Sequence, residues 1–174
     1  AGAHGIANSL DTLLEAVILF KETDLYFVLV GQGQEKERLR KYAEEHNLVN
    51  ITFLPPVIKP QIPALLQFFD ICYIGLQREP LFRFGVSPNK LIDYMMAAKP
   101  IIYAIEAGND PVKEAGCGIS VPPEDPQAIA DAIRTLASMS VAEREAMGQR
   151  GKEYVMKHHD YKILAKQFLK VLEG

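Results

Sequence analysis

Cysteine is scarce in this chain of 174 residues: there are two, Cys72 within an apolar run and Cys117 between glycines. Two scattered thiols exclude a disulfide framework or a cysteine-based zinc site, and they fit a reduced, cytoplasmic setting. No run of about 18 uncharged apolar residues is present, so no segment is suited to span a bilayer. The N-terminus also lacks the basic-then-apolar layout of a signal peptide. Nor is there a block of Lys or Arg that could track a phosphate backbone, and with a formal net charge of -3 nucleic acid is not an expected partner. An initiating Met is missing as well: the chain opens on Ala1-Gly2-Ala3, which raises the expectation of further sequence upstream. Repeats, low-complexity tracts and Gly/Ser linkers are absent, so residues 1–174 read as one domain.

What is present describes an ordinary folded protein, with 48% hydrophobic and 24% charged residues. Leu10, Leu13, Leu14, Val17 and Ile18 recur at helical spacing behind Asn8 or Ser9 as N-cap. The β-prone run Leu25-Tyr26-Phe27-Val28-Leu29-Val30 follows, closed by Gly31-Gln32-Gly33, as in a strand buried on both faces. The alternation continues with a helix over about 35–46, a strand over 51–54, a short helix over 62–69 and a strand over 71–76. After a loop over 77–86, Ser87 and Pro88 read as N-cap and first residue of a helix to about Ala98, and a strand spans 100–105. Asp110-Pro111 and Asp125-Pro126 open two further helices around a strand over 119–121, and Ser140 with Glu143 forms a capping box. This order predicts an α/β fold, a Rossmann-like doubly wound parallel sheet with helices on both faces.

Ligands of such sheets sit beyond the carboxyl ends of the strands, which directs attention to two loops. In the first, Gly2-Ala3-His4-Gly5, backbone N–H groups and a helix start could meet an anionic phosphate, or the glycines could serve a plain turn; His4 is open in the same way. Gly31-Gln32-Gly33 lacks the third glycine of a dinucleotide fingerprint, which argues against an ordinary NAD site. In the second, Gly85-Val86-Ser87-Pro88-Asn89-Lys90, free amides at a positive helix end are joined by Lys90, a cation at the electrostatically wrong end unless an anion binds there. Asp93 follows one turn later, within reach of sugar hydroxyls. The plain alternative is a surface lysine and an exposed aspartate.

Several segments taken together resemble the C-terminal domain of the group-1, or family-four, GT-B glycosyltransferases. They are Leu13-Leu14-Glu15-Ala16, Phe27-Val28-Leu29-Val30-Gly31-Gln32-Gly33, Asn50-Ile51-Thr52-Phe53-Leu54 and Ser87-Pro88-Asn89-Lys90-Leu91-Ile92-Asp93-Tyr94-Met95, followed by Ala98-Lys99-Pro100-Ile101-Ile102 and Gly116-Cys117-Gly118-Ile119-Ser120-Val121-Pro122-Pro123. The resemblance covers nearly the whole chain and leans toward bacterial transferases that build O-antigen and capsule saccharides. It implies transfer of a sugar from a nucleotide-diphosphate donor, with retained anomeric configuration and without a metal or other cofactor. The donor would lie between this domain and an N-terminal acceptor domain outside this chain, so the domain alone is expected to be inactive. A saccharide or lipid-linked acceptor would be held by that other domain.

Carried over by position, the resemblance places Asp93 at the carboxylate that binds the donor ribose, and Gly85 at the glutamate that contacts the donor sugar, a role Glu79 would have to take over. It places Ala3 and Asn8 where the family's diphosphate-clamping arginine and lysine stand. Because a departing nucleoside diphosphate needs its developing charge stabilised, another group should compensate, with Lys90 ahead of Arg78, Arg83, His4 and the helix amides. The turn Pro55-Pro56-Val57-Ile58-Lys59 corresponds to where the base is held by backbone groups. The donor-binding set is thus Gly2, His4, Gly5, Val57, Ser87, Pro88, Asn89, Lys90 and Asp93. Near the end, Lys162, Lys166 and Lys170 share a helical face opposite Leu164, Phe168, Val171 and Leu172, readable as a solvated face or as a peripheral contact with the anionic inner membrane. Two other functions stand beside the transferase: a non-catalytic nucleotide-sensing module that kept the fold, and half of a sugar-nucleotide epimerase.

Overall fold

The computed structural model describes residues 1–173, leaving aside the side chains at 166, 167 and 173; Lys166 of the C-terminal lysine stripe falls outside the described residues. Six strands are all parallel: β1 Gly2–Ala3, β2 Phe27–Gln32, β3 Ile51–Leu54, β4 Cys72–Gly75, β5 Ile101–Ala104 and β6 Gly118–Val121. They are hydrogen-bonded as two three-stranded sheets, β1-β2-β3 and β4-β5-β6. Between them run α1 Leu10–Ile18, α2 Lys36–Glu45, α3 Ile62–Gln67, α4 Asn89–Met96, α5 Pro111–Ala115 and α6 Pro126–Ser138, with α7 Val141–His158 and α8 Tyr161–Glu173 closing the chain. Short 3-10 turns cover Ile6–Asn8, Lys59–Gln61 and Pro80–Phe84.

β5 shows why the layers form. All four of its residues are buried, and successive side chains point to opposite faces. Ile102 and Ala104 join one core with Leu14 and Val17 of α1, Leu39 of α2 and Ile129, Ile133 and Leu136 of α6. Ile101 and Tyr103 join the other with Leu66 of α3, Tyr94 and Met95 of α4 and Val155 of α7. Each fully buried Leu or Ile contributes about 1.5–3 kcal/mol, so a strand without a polar position is stable only with helices on both sides.

The helix starts repay attention one by one. Asp110 and Asp125 each accept the amide three residues on, from Lys113 and Ala128, at 2.9 Å, with Pro111 and Pro126 at the first helical position. Ser140 and Glu143 close the expected capping box. Ser87 departs from expectation: Pro88 occupies the N-cap position of α4 in extended conformation, no side chain caps the helix, and Asn89 is its first residue. Pro88 takes ψ 123° here, outside the helical range, whereas Pro111 and Pro126 lie within their helices, so α4 starts one residue later. Ser9 stands at the N-cap of α1 but at φ 45°, and its Oγ pairs with Thr12 Oγ1 at 2.9 Å instead of with a helix amide.

Gly31 lies within β2, and Gly33 directly follows the strand, its carbonyl accepting the Lys36 amide at 3.2 Å. The strand runs through Gly31 to Gln32, pairing Gly2 with Gly31 and Ala3 with Gln32. A Cβ at Gly31 would lie 1.8 Å from the Gly2 carbonyl oxygen, and one at Gly33 would lie 2.3 Å from that of His4. Both glycines therefore make room for the backbone of residues 2–4. At the other end, α8 leaves Tyr161, Phe168, Val171 and Leu172 exposed, as it does Lys162 and Lys170.

Candidate functional site

The parallel strands put their carboxyl ends on one edge, where β1, the turn after β3 and the start of α4 converge. A cavity of about 220 Å³ is lined there by Gly2, Ala3, Gln32, Pro56, Val57 and Ile62. It brings Gly2 and Val57, predicted from separate loops, to one surface. A larger cavity of about 680 Å³ lies between β2 and β4; its walls, including Val28, Leu29, Ile74 and Ile102, are mainly apolar, with Asn8, Asp24 and Asp70 among the polar residues that line it. His4 and Lys90 border it from the ligand edge.

Lys90 is the centre of the arrangement. It leaves the second position of α4, and its Nζ donates to Asn8 Oδ1 across 82 residues of sequence. A Cβ on Gly2 would be 3.9 Å from Lys90 Cε, so the two predicted loops meet through this side chain. Burial draws the Lys90 ammonium below the ordinary lysine range. A half-buried cation with a single neutral acceptor is under-compensated, and an anion placed beside it would restore its charge. The other cations named from the sequence are engaged elsewhere: Arg78 pairs with Glu106 at 3.4 Å, and the Arg83 guanidinium lies 4.6 Å over the Phe84 ring. Glu79 caps its own 3-10 turn by accepting from the Leu81 amide at 3.3 Å.

His4 behaves differently from a clamp cation. It is 2% exposed, with its ring edge-on to Phe53 and a centroid separation of 6.4 Å. Desolvation, with Lys36, the terminal ammonium and Lys90 nearby, lowers its pKa to about 4. At neutral pH it is an uncharged imidazole, so the stabilising positive charge allowed for it from the sequence is not available. Its Nδ1 has no hydrogen-bond partner among the described residues. Its backbone holds the turn in place, the N–H donating to the Gln32 carbonyl at 2.9 Å and the carbonyl accepting from Glu35 at 3.0 Å. Gly5 has ordinary extended dihedrals, and an added Cβ would meet nothing nearer than Asn8 Nδ2 at 3.8 Å. No backbone requirement accounts for that glycine.

Ser87, Asn89 and Asp93 are exposed along the start and first turn of α4, and Pro88 is half-buried. Asn8 was visible in the sequence only as an uncharged residue in a lysine's place; that it accepts from Lys90 has no signature in spacing. Asn109, in the loop after β5, was likewise missed: it bonds both backbone groups of Val86, immediately before Ser87. Together the start of α4 offers uncapped backbone amides, one desolvated ammonium and one exposed carboxylate. That set suits a phosphate-bearing ligand with hydroxyl groups.

Comparison with known proteins defines the class. The family model for glycosyl transferases group 1 matches residues 2–139, and the chain belongs to that family. WcaI of Escherichia coli K12, a colanic acid biosynthesis glycosyl transferase by name, is 27% identical across 100% of this chain and 42% of its own length. WbjE of Pseudomonas aeruginosa, a glycosyltransferase by name, is 27% identical over 88% of this chain and 40% of its own. The chain thus spans about two fifths of these relatives. Among solved structures, sucrose-phosphate synthase of Thermosynechococcus elongatus shares the fold with a TM-score of 0.80 at 22% identity, covering 99% of this chain and 44% of that one. HepE of Anabaena, solved in complex with UDP and glucose, does so at 0.78 and 18%, covering 99% and 47%. The C-terminal domain of LpcC from Francisella tularensis matches at 0.74 and 21%, covering 92% and 85%. Among the described residues, no helix is long and apolar enough to cross a membrane.

Proposed function

We propose that this chain is the donor-binding part of a glycosyltransferase that takes a sugar from a nucleoside-diphosphate donor, a UDP- or GDP-sugar. The observation that carries the reading is the Lys90–Asn8 contact. By the resemblance, Asn8 stands where the family has a clamping lysine, and the Lys90 ammonium reaches that same spot from the other loop. A cation there opposes the charge that grows on the diphosphate as the bond from the anomeric carbon to the phosphate oxygen breaks. The amides of Ser87 and Asn89 and the backbone of Gly2, His4 and Gly5 add uncharged donors at the phosphates. Asp93 accepts from ribose hydroxyls, and Val57 offers backbone groups to the base.

The names of the two bacterial relatives support a role in cell-surface polysaccharide synthesis, with a saccharide or lipid-linked acceptor bound by a domain outside this chain. The buried, reduced Cys72 and Cys117 suit the cytoplasm, and the exposed apolar residues of α8 beside Lys162 and Lys170 suit peripheral contact with the inner membrane. Ala3 and Gly85, at the places of the second clamp cation and the sugar-binding glutamate, favour a second reading in which the chain senses a nucleotide without transferring its sugar.

Calorimetric titration of the chain with UDP, GDP and ADP tests the donor site. Saturable binding of UDP or GDP is expected; a folded sample that binds none of the three contradicts it.

A further inference from the structure

Two loops meet beside the start of α4, and one side chain joins them. Val86 donates its N–H to Asn109 Oδ1 at 2.8 Å, and Asn109 Nδ2 donates to the Val86 carbonyl at 3.0 Å. The carboxamide thus satisfies both backbone groups of one residue, as a neighbouring strand would, in a segment that belongs to no sheet. A third bond, from the Gly108 N–H to the Phe82 carbonyl at 2.8 Å, extends the lacing. The two backbones are so close that a Cβ on Gly108 would stand 2.2 Å from the Arg83 carbonyl oxygen. Gly85, at φ +101°, turns the chain toward Asn109, whose Oδ1 is 3.2 Å from where its Cβ would be.

Apolar packing of the segment over 80–88 is partial: Leu81 and Phe84 are exposed, 67% and 75%, while Phe82 and Val86 pack half-buried against the core. Asn109, by contrast, is carried on firm ground: β5 ends five residues before it, and Asp110 caps α5 through the Lys113 amide. We propose that Asn109 is a positioning residue for the donor site, setting from the loop after β5 where the Ser87 and Asn89 amides and Lys90 stand. This rests on the donor-site reading above. Asn109 itself touches no donor; it acts through Val86, and the resemblance that marked the two donor loops gave it no role.

The test compares the parent chain with Asn109→Ala, Asn109→Asp and Gly108→Ala by amide hydrogen exchange and by calorimetric titration with UDP and GDP. Asn109→Ala should speed exchange over residues 82–90 about tenfold, leave β2 and β5 unchanged, and weaken nucleotide binding about tenfold, the scale of one to two lost hydrogen bonds. Asn109→Asp, which keeps the acceptor for the Val86 N–H, should recover part of both effects. Gly108→Ala should reproduce them by pushing the loops apart without altering Asn109. Unchanged exchange over 82–90 in Asn109→Ala overturns the clasp. Faster exchange with parental nucleotide affinity overturns its link to the site. A parent that binds neither UDP nor GDP defeats the donor-site reading and the positioning role with it, whereas the exchange comparison still decides whether the clasp exists.

Discussion

Lowering the pH should destabilise this protein through one side chain. His4 is 2% exposed and sits with a pKa of about 4 against an ordinary 6.5, because burial and the neighbouring Lys36, terminal ammonium and Lys90 all disfavour its charged form. The unfolded chain therefore takes up a proton near pH 6.5 that the folded chain refuses until about pH 4, and stability falls with pH through that window. With about 1.4 kcal/mol per pKa unit, the loss between pH 7 and pH 5 is about 2 kcal/mol. Urea unfolding of the parent and of His4→Gln at pH 7, 6 and 5 isolates the effect, since every other titrating group is common to both. The stability difference between them should shift by about 2 kcal/mol in the variant's favour on going to pH 5. A pH-independent difference, or an imidazole that titrates near 6.5 by NMR in the folded protein, refutes the reasoning.

Other substitutions report on the architecture and the site. Gly31→Ala places a Cβ 1.8 Å from the Gly2 carbonyl oxygen and should cost at least about 2 kcal/mol in chemical denaturation; a loss under about 0.5 kcal/mol would mean that residues 2–4 are not held there. Asp125→Ala removes the cap of α6 and should cost about 1 kcal/mol by the same assay, with nucleotide affinity unchanged. Asp93→Ala should weaken UDP or GDP binding about tenfold, with no change in the melting temperature, because its carboxylate is exposed; equal affinity removes Asp93 from the site.

The strands and helices were legible because their causes are local. A strand covered on both faces must be apolar throughout, as β5 is, and Asp-Pro pairs mark helix starts by chemistry confined to four residues. A boundary slipped where the same local pattern has two outcomes: Pro111 and Pro126 open their helices, whereas Pro88 is extended and α4 starts at Asn89. The two loops proposed for the donor were singled out by composition and resemblance, yet what joins them was not. Lys90 to Asn8 spans 82 residues and Asn109 to Val86 spans 23, and no periodicity encodes a side chain crossing between loops. The close approach at Gly31 and Gly33 was unreadable for the same reason: their neighbour is the backbone of a distant segment, and nothing in the local sequence announces it.

That the Lys90 ammonium takes over the diphosphate clamp from position 8 is the central claim, and moving the charge back tests it most directly. UDP and GDP affinity should be measured by calorimetry for the parent, for Lys90→Ala and for the double variant Asn8→Lys/Lys90→Ala. Loss of a charge-assisted contact should weaken binding about 10- to 100-fold in the single variant. The double variant, with its ammonium restored at the other end of the same contact, should return to within about threefold of the parent. A single variant that binds like the parent, or a double variant no better than the single one, would contradict the account.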